Sequence, residues 1–242
     1  MAEAHRRWVR VSHWTIVASF LTLVVTGILI LMVHPRLYWG EVGNDLVPAF
    51  LEIPVSNNHQ PDGWVPTTTF SEVPGSPISA DRTYFIFNEN GWGRSLHFLA
   101  AWFLVVTGLV YVLTGLIGGH ARRNLIPGVR DLSPGKLAQD AREHLRPKGE
   151  LQAGPPYGAV QKVLYGGVVF VALPLMLLTG LTMSPAVTAA APTLLDIFGG
   201  YQSARTIHFF GFSALVLFLV VHIAMVFVTG ARRQLRAMIL GK

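Results

Sequence analysis

Nine histidines occur in the 242-residue chain, and four of them, His13, His97, His208 and His222, lie within or just inside long stretches free of Asp, Glu, Lys and Arg. An ionisable ring in so apolar a setting is costly and marks function. His208 and His222 are 14 residues apart. On an α-helix that spacing is about 1,400°, roughly 40° short of four turns, and about 21 Å of rise. One helix face thus carries two imidazoles at opposite ends, and each needs a partner at its own depth. His97 stands as close to the start of its stretch as His208 does to its own, so these two pair. His13, on a stretch running the other way, is left for His222.

Imidazole on both sides of an iron leaves no open position, an arrangement suited to electron transfer and unsuited to oxygen chemistry. Two such centres at opposite levels make a conduit for electrons across a bilayer, so the expected cofactors are two b hemes. The chain has no cysteine, which excludes disulfides, iron–sulfur clusters and thioether-linked heme. Three of the histidines follow an arginine by three residues: Arg10 before His13, Arg94 before His97 and Arg205 before His208. That spacing puts both side chains on one helix face with Arg nearer water, where a guanidinium can pair bidentately with a heme propionate. Glycine gives a flat macrocycle room beside the backbone. Gly27 lies 14 residues after His13 and Gly108 lies 11 after His97, each nearly in phase with its histidine and at the level of the other pair. His34 and His120 sit at span ends and are substitutes should this pairing fail, whereas His5, His59 and His144 lie outside the stretches.

The elements that must position these side chains are membrane helices. The chain is 51% hydrophobic and only 13% charged, too apolar for an ordinary soluble domain. Residues 11–35, 95–121, 163–195 and 206–231 lack Asp, Glu, Lys and Arg, and each exceeds the roughly 20 residues one crossing needs. The expected fold is an all-α, four-transmembrane-helix up-down bundle forming a single domain over 1–242, with spans near 9–33, 94–118, 160–184 and 205–230. Arg6, Arg7 and Arg10 precede an apolar run too long, and without the cleavage pattern, of a secretory signal, so that run is a retained helix. Fifteen of the 19 Lys and Arg fall before the first span, between the second and third, or after the fourth. The positive-inside rule then places both termini in the cytoplasm. It also accounts for the net charge of +6 without invoking nucleic acid.

The connection from about His34 to Trp92, rich in Pro, Gly, Asn and aromatics, is far longer than most helix–helix loops. It is either a surface cap or a periplasmic docking surface. In the cytoplasmic connection, Ser133-Pro134 followed by Leu137, Ala141 and Leu145 predicts a short amphipathic helix. Pro174 predicts a kink in the third span.

Arg10-Val11-Ser12-His13-Trp14, Gly91-Trp92-Gly93-Arg94-Ser95-Leu96-His97-Phe98, and Arg205-Thr206-Ile207-His208-Phe209-Phe210-Gly211-Phe212 with His222 further on resemble the bacterial cytochrome b561 superfamily. That group includes the membrane subunits of formate dehydrogenase, nickel–iron hydrogenase and thiosulfate reductase. The Asn-Gly-Trp-Gly-Arg-x-x-His element and the long external loop are most similar to the thiosulfate reductase type. The resemblance implies a quinone or quinol site, for menaquinone or ubiquinone, near the cytoplasmic heme. It also implies a periplasmic redox partner, a molybdopterin enzyme or a c-type cytochrome. In the formate dehydrogenase type a Tyr-Asn-x-Gly-Gln-Lys pattern opens the third span. Here Tyr157-Gly158-Ala159-Val160-Gln161-Lys162 keeps the Tyr, Gln and Lys, which gives Gln161 and Lys162 the implied quinone role. Gly158 and Val160 depart from it, and as a polar pair at the interface Gln161 and Lys162 equally suit capping of the span.

The function expected is that of a quinone-linked electron-transfer subunit of an oxidoreductase complex in the bacterial inner membrane. Alternatives are the cytochrome b of a hydrogenase, a stand-alone quinol oxidoreductase, a heme-free anchor, and a metal transporter. Against the transporter, no apolar stretch carries a carboxylate, and the histidines fall in two layers, not around one midplane site.

Overall fold

The structure, a computed structural model, describes residues 6–44, 47–54, 59–60, 63–64, 90–119, 121, 125–145, 158–228 and 230–241. It is all-α in its long elements, with four helices long and apolar enough to cross a membrane. These are α1 (Arg7–Val33), α2 (Asn90–Ile117), a third span, and α8 (Tyr201–Val228). The third span is built of α4 (Ala159–Gly167), a π-helical turn (Val168–Ala172) and α5 (Leu173–Thr182). Pro174 has no N–H to give, and just before it the Leu173 amide reaches back to the Val168 carbonyl. The kink expected at this proline is therefore written as a wide turn.

Shorter elements fill the connections. Two-residue strands β1 (Arg36–Leu37) and β2 (Leu51–Glu52) pair antiparallel, Arg36 opposite Glu52. Strands β3 (His59–Gln60) and β4 (Gly63–Trp64) form a second hairpin. Helix α3 (Pro134–Leu145) starts at the expected Ser133-Pro134, the Leu137 amide donating to the Ser133 carbonyl. Helices α6 (Pro185–Ala190) and α7 (Thr193–Phe198) follow the third span, and α9 (Ala231–Ile239) follows α8.

The residues gather into two compact units. One comprises 1–17, 104–175 and 214–242, the other 18–103 and 176–213; they are called here the α4 unit and the hairpin unit.

In the hairpin unit the large apolar side chains of the helices mostly face outward: Leu21, Val25, Leu99, Trp102 and Phe103 are exposed. Ser19, Thr26, Thr179, Thr182, Ser203 and Thr206 are buried. Small and hydroxyl residues inside with large apolar residues outside is the pattern of helices packed in lipid. A folded part of the long connection, residues 34–44, covers the start of α8. Helix starts leave amides unsatisfied, and here they are met from across the chain. The Gly40 carbonyl accepts from the Gln202 and Ser203 amides at 2.9 and 3.2 Å, the Glu41 carboxylate from the Tyr201 amide at 3.1 Å, and Ser203 Oγ from the Gly40 amide at 2.7 Å. Gly200, at φ +105°, lies so close that an added Cβ would meet the Gly40 carbonyl at 2.6 Å. Beneath this cap, Arg36 pairs with Glu52 at 3.2 Å over the Tyr38 ring. For residues 34–44 the capping reading of the loop therefore holds.

In the α4 unit, Asp140 of α3 accepts from the Val160 amide at 2.8 Å and so caps α4. Trp14 of α1 donates its indole N–H to the Met238 carbonyl of α9 at 3.1 Å.

Candidate functional site

His97 and His208 both belong to the hairpin unit. Each is held by a helix that carries neither histidine. His97 Nδ1 is 2.8 Å from Thr26 Oγ1 of α1, and His208 Nδ1 is 2.9 Å from Thr179 Oγ1 of α5. The residue after each threonine is glycine. A Cβ added at Gly27 would touch His97 Cε1 at 3.6 Å, and one at Gly180 would touch His208 Cε1 at 3.6 Å. Gly27 thus stands beside the other pair's histidine, the place its phase on α1 predicts. Gly180 was not singled out from the sequence.

The arginines differ. Arg205 donates from Nη1 to the Arg36 carbonyl at 2.8 Å and from Nη2 to the His34 carbonyl, so it ties α8 to the capping segment. Two bonds leave other guanidinium N–H groups for an anion. Arg94 is exposed. Arg10, in the α4 unit, has its guanidinium against Gly241, and its Nε is buried without a hydrogen-bond partner.

His13 and His222 both belong to the α4 unit. His13 meets the Trp14 ring edge-on, centroids 5.3 Å apart. His222 is nearly parallel to Phe218 at 5.9 Å and edge-on to Tyr165 at 6.2 Å. Gly108 faces open space, with nothing within 4 Å of an added Cβ.

Gln161 and Lys162 are placed by the start of α4. Gln161 Oε1 accepts from the Gly158 amide at 3.1 Å, a cap on the helix. Lys162 Nζ is 3.7 Å from Asp131 Oδ2, and Lys136 Nζ donates to Asp131 Oδ1 at 2.6 Å. The lysine partner and an amide from Gly128 hold the Asp131 carboxyl below its ordinary value.

His34 is occupied elsewhere. Its Nε2 is 3.0 Å from the Tyr38 hydroxyl, which gives its own proton to the Asn44 carbonyl at 2.9 Å. His34 Nε2–H is therefore a donor, which puts the lone pair of the ring on Nδ1. His5, His120 and the side chains of His59, Trp64 and His144 lie outside the described residues; Trp92 is exposed.

These side chains fit a b heme. Nδ1 of His97 and of His208 is engaged by a threonine, and the buried Arg10 Nε is a cationic donor without a hydrogen-bond partner. Among the described residues no three His, Cys, Asp or Glu side chains gather as an ion held by protein ligands alone requires. Paired imidazoles suit an iron whose other four ligands come from a porphyrin.

Histidines carried in this way on apolar spans suit a membrane cytochrome of the b type. The sequence pattern of prokaryotic cytochrome b561 matches residues 4–241, and the chain belongs to that family: it is a multi-pass electron-transfer protein of the inner membrane. It is also similar to a protein of Azospira oryzae named "Putative protein-methionine-sulfoxide reductase subunit YedZ1", at 28% identity over 98% of this chain and 96% of the relative. No solved structure matches it.

Proposed function

We propose that the chain is a di-heme subunit that passes electrons between the quinone pool and a redox enzyme on the periplasmic face. His97 and His208 ligate the outer heme, His13 and His222 the inner one. A bis-imidazole b heme supplies one-electron transfer at an iron closed to substrate. The protein's part is to hold four imidazoles by their Nε2 atoms, to clear space at Gly27 and Gly108, and to meet propionates with Arg10, Arg94 and the unspent donors of Arg205.

The observation that carries this reading is the engagement of Nδ1 in both outer histidines, at 2.8 and 2.9 Å, which leaves Nε2 of each for the metal. The quinone site belongs near the inner heme. Gln161 and Lys162 border that side of the chain, although the cap and the ion pair already use them. For the partner, a molybdopterin enzyme remains the reading, and the name of the Azospira relative favours a protein-methionine-sulfoxide reductase over a thiosulfate reductase.

The test is heme stoichiometry in purified protein. His97→Ala or His208→Ala should remove one of two hemes per chain, and His13→Ala or His222→Ala the other. Full heme content and an unchanged reduced spectrum in these variants would sink the assignment. Reduction of the remaining heme by a quinol should survive loss of the outer site but not of the inner one.

A further inference from the structure

Hydroxyl residues in membrane helices ordinarily return their proton to the carbonyl one turn back, and many here do so. Thr15 bonds to Val11, Thr22 to Ala18, Thr114 to Val110 and Thr182 to Leu178. Thr26 and Thr179 do this and something more. Thr26 Oγ1 lies 2.7 Å from the Thr22 carbonyl and 2.8 Å from His97 Nδ1. Thr179 Oγ1 lies 3.2 Å from the Met176 carbonyl and 2.9 Å from His208 Nδ1.

A hydroxyl has one proton and two lone pairs. With the carbonyl, which can only accept, taking the proton of each threonine, a lone pair of the hydroxyl is left for the imidazole. The histidine contact is then one in which the hydroxyl accepts and Nδ1–H donates. That fixes each ring as the tautomer with its lone pair on Nε2, the nitrogen that the geometry leaves for a metal. Both threonines are essentially inaccessible, at 1% and 0% exposure, so water does not compete for the bond. The arrangement occurs twice, on different helices, each time as Thr followed by Gly. The hydroxyl sets the nitrogen, and the glycine stands against the Cε1 edge.

We propose that Thr26 and Thr179 are positioning residues for the outer heme. Each fixes the tautomer and ring plane of the histidine facing it, and by accepting the Nδ1 proton each makes that imidazole a stronger donor to ferric iron. The proposal rests on His97 and His208 being the ligands, and the experiment separates the two claims.

Thr26→Val and Thr179→Val keep shape and remove the hydroxyl; Thr26→Ser and Thr179→Ser keep the hydroxyl. Purified full-length variants are compared for heme per chain, low-spin electron paramagnetic resonance and midpoint potential. Loss of a hydrogen bond behind a ligating histidine typically weakens the metal site 10–100-fold. A ferric site weakened tenfold more than the ferrous one raises a one-electron potential by about 59 mV. The expected result is a rise in the outer potential and a displaced low-spin signal in each Val variant, near-normal values in each Ser variant, and an inner heme unchanged throughout. Val variants with normal outer potential and signal, beside histidine variants that lose the outer heme, overturn the proposal and leave the ligand assignment standing. Histidine variants that keep both hemes overturn the assignment itself. Should a Val variant lose both hemes through misfolding, the Ser variant decides: wild-type potential supports the role of the hydroxyl, and a displaced one refutes it.

Discussion

Gly200→Ala should be among the most damaging single-methyl additions in the chain, although residue 200 touches no candidate ligand. At φ +105° any side chain is strained, at a cost of about 1–2 kcal/mol. The larger part is steric. The new Cβ would stand 2.6 Å from the carbonyl carbon and oxygen of Gly40 and 2.8 Å from the Glu41 nitrogen, all backbone atoms with no rotamer to change. Relief requires that the 40–41 segment withdraw from α8. The Gly40 carbonyl then loses the Gln202 and Ser203 amides, and the Glu41 carboxylate loses the Tyr201 amide. At about 1 kcal/mol for each of the three hydrogen bonds, with about 1–2 kcal/mol of strain added, the expected destabilisation is about 4–5 kcal/mol. For a chain of this size that corresponds to roughly 8–20 °C in Tm. Gly199→Ala is the control. Gly199 also has positive φ, +70°, but its added Cβ meets only Ser203 Oγ at 3.8 Å, so strain alone applies and the loss should be about 1 kcal/mol. Thermal unfolding of both variants in one detergent, followed by circular dichroism and by heme absorbance, measures the difference. Equal losses at 199 and 200 would refute the claim that backbone contact across the cap, and not the positive φ, makes Gly200 irreplaceable.

Arg205→Lys keeps charge but cannot reach the Arg36 and His34 carbonyls together, so residues 34–44 should become cleavable by added protease several-fold faster; unchanged cleavage would mean that the two bonds do not hold the cap. Asp131 has its folded pKa depressed, so what it contributes is present above the unfolded value of about 3.9 and is lost as pH falls through the lower folded value. Hydrogen exchange of amides at the start of α4 should therefore be pH-independent, after correction for intrinsic rates, from neutrality to about pH 4 and rise below it, and Asp131→Asn should show the raised rate at every pH.

The spans were legible because lipid imposes a simple rule: about 20 residues without charge, interrupted here only by Arg-marked ends. The histidines were legible because they break that rule inside it. What escaped was fixed by distant partners. α8 begins at Tyr201, a turn before its apolar run, because Gly40 and Glu41 satisfy its first amides, and no local residue announces a cap supplied from 160 residues away. Arg205 reads as a propionate partner by spacing, yet two of its donors go to loop carbonyls. Thr26 and Thr179 look like any hydroxyl in a membrane helix until the facing histidine is in place; Thr-Gly also stands at 107–108, 114–115 and 229–230, so the pair does not mark them. Helix α9 was passed over because its start depends on Gly230, at φ +101°, turning the chain after α8.

Among the described residues, the buried side chains on the helices of the hairpin unit are serine, threonine and alanine, with Leu29 the one large apolar exception, and this has a consequence for biogenesis. Such a surface offers little apolar area for its own helices to share, since the leucines and phenylalanines are spent on lipid. A porphyrin bound among them would add apolar contact to that surface, and only when the cell supplies it. Insertion into the membrane and completion of the fold are then separate events, and the second waits on heme synthesis. Chains made during heme shortage should be the more open to membrane proteases.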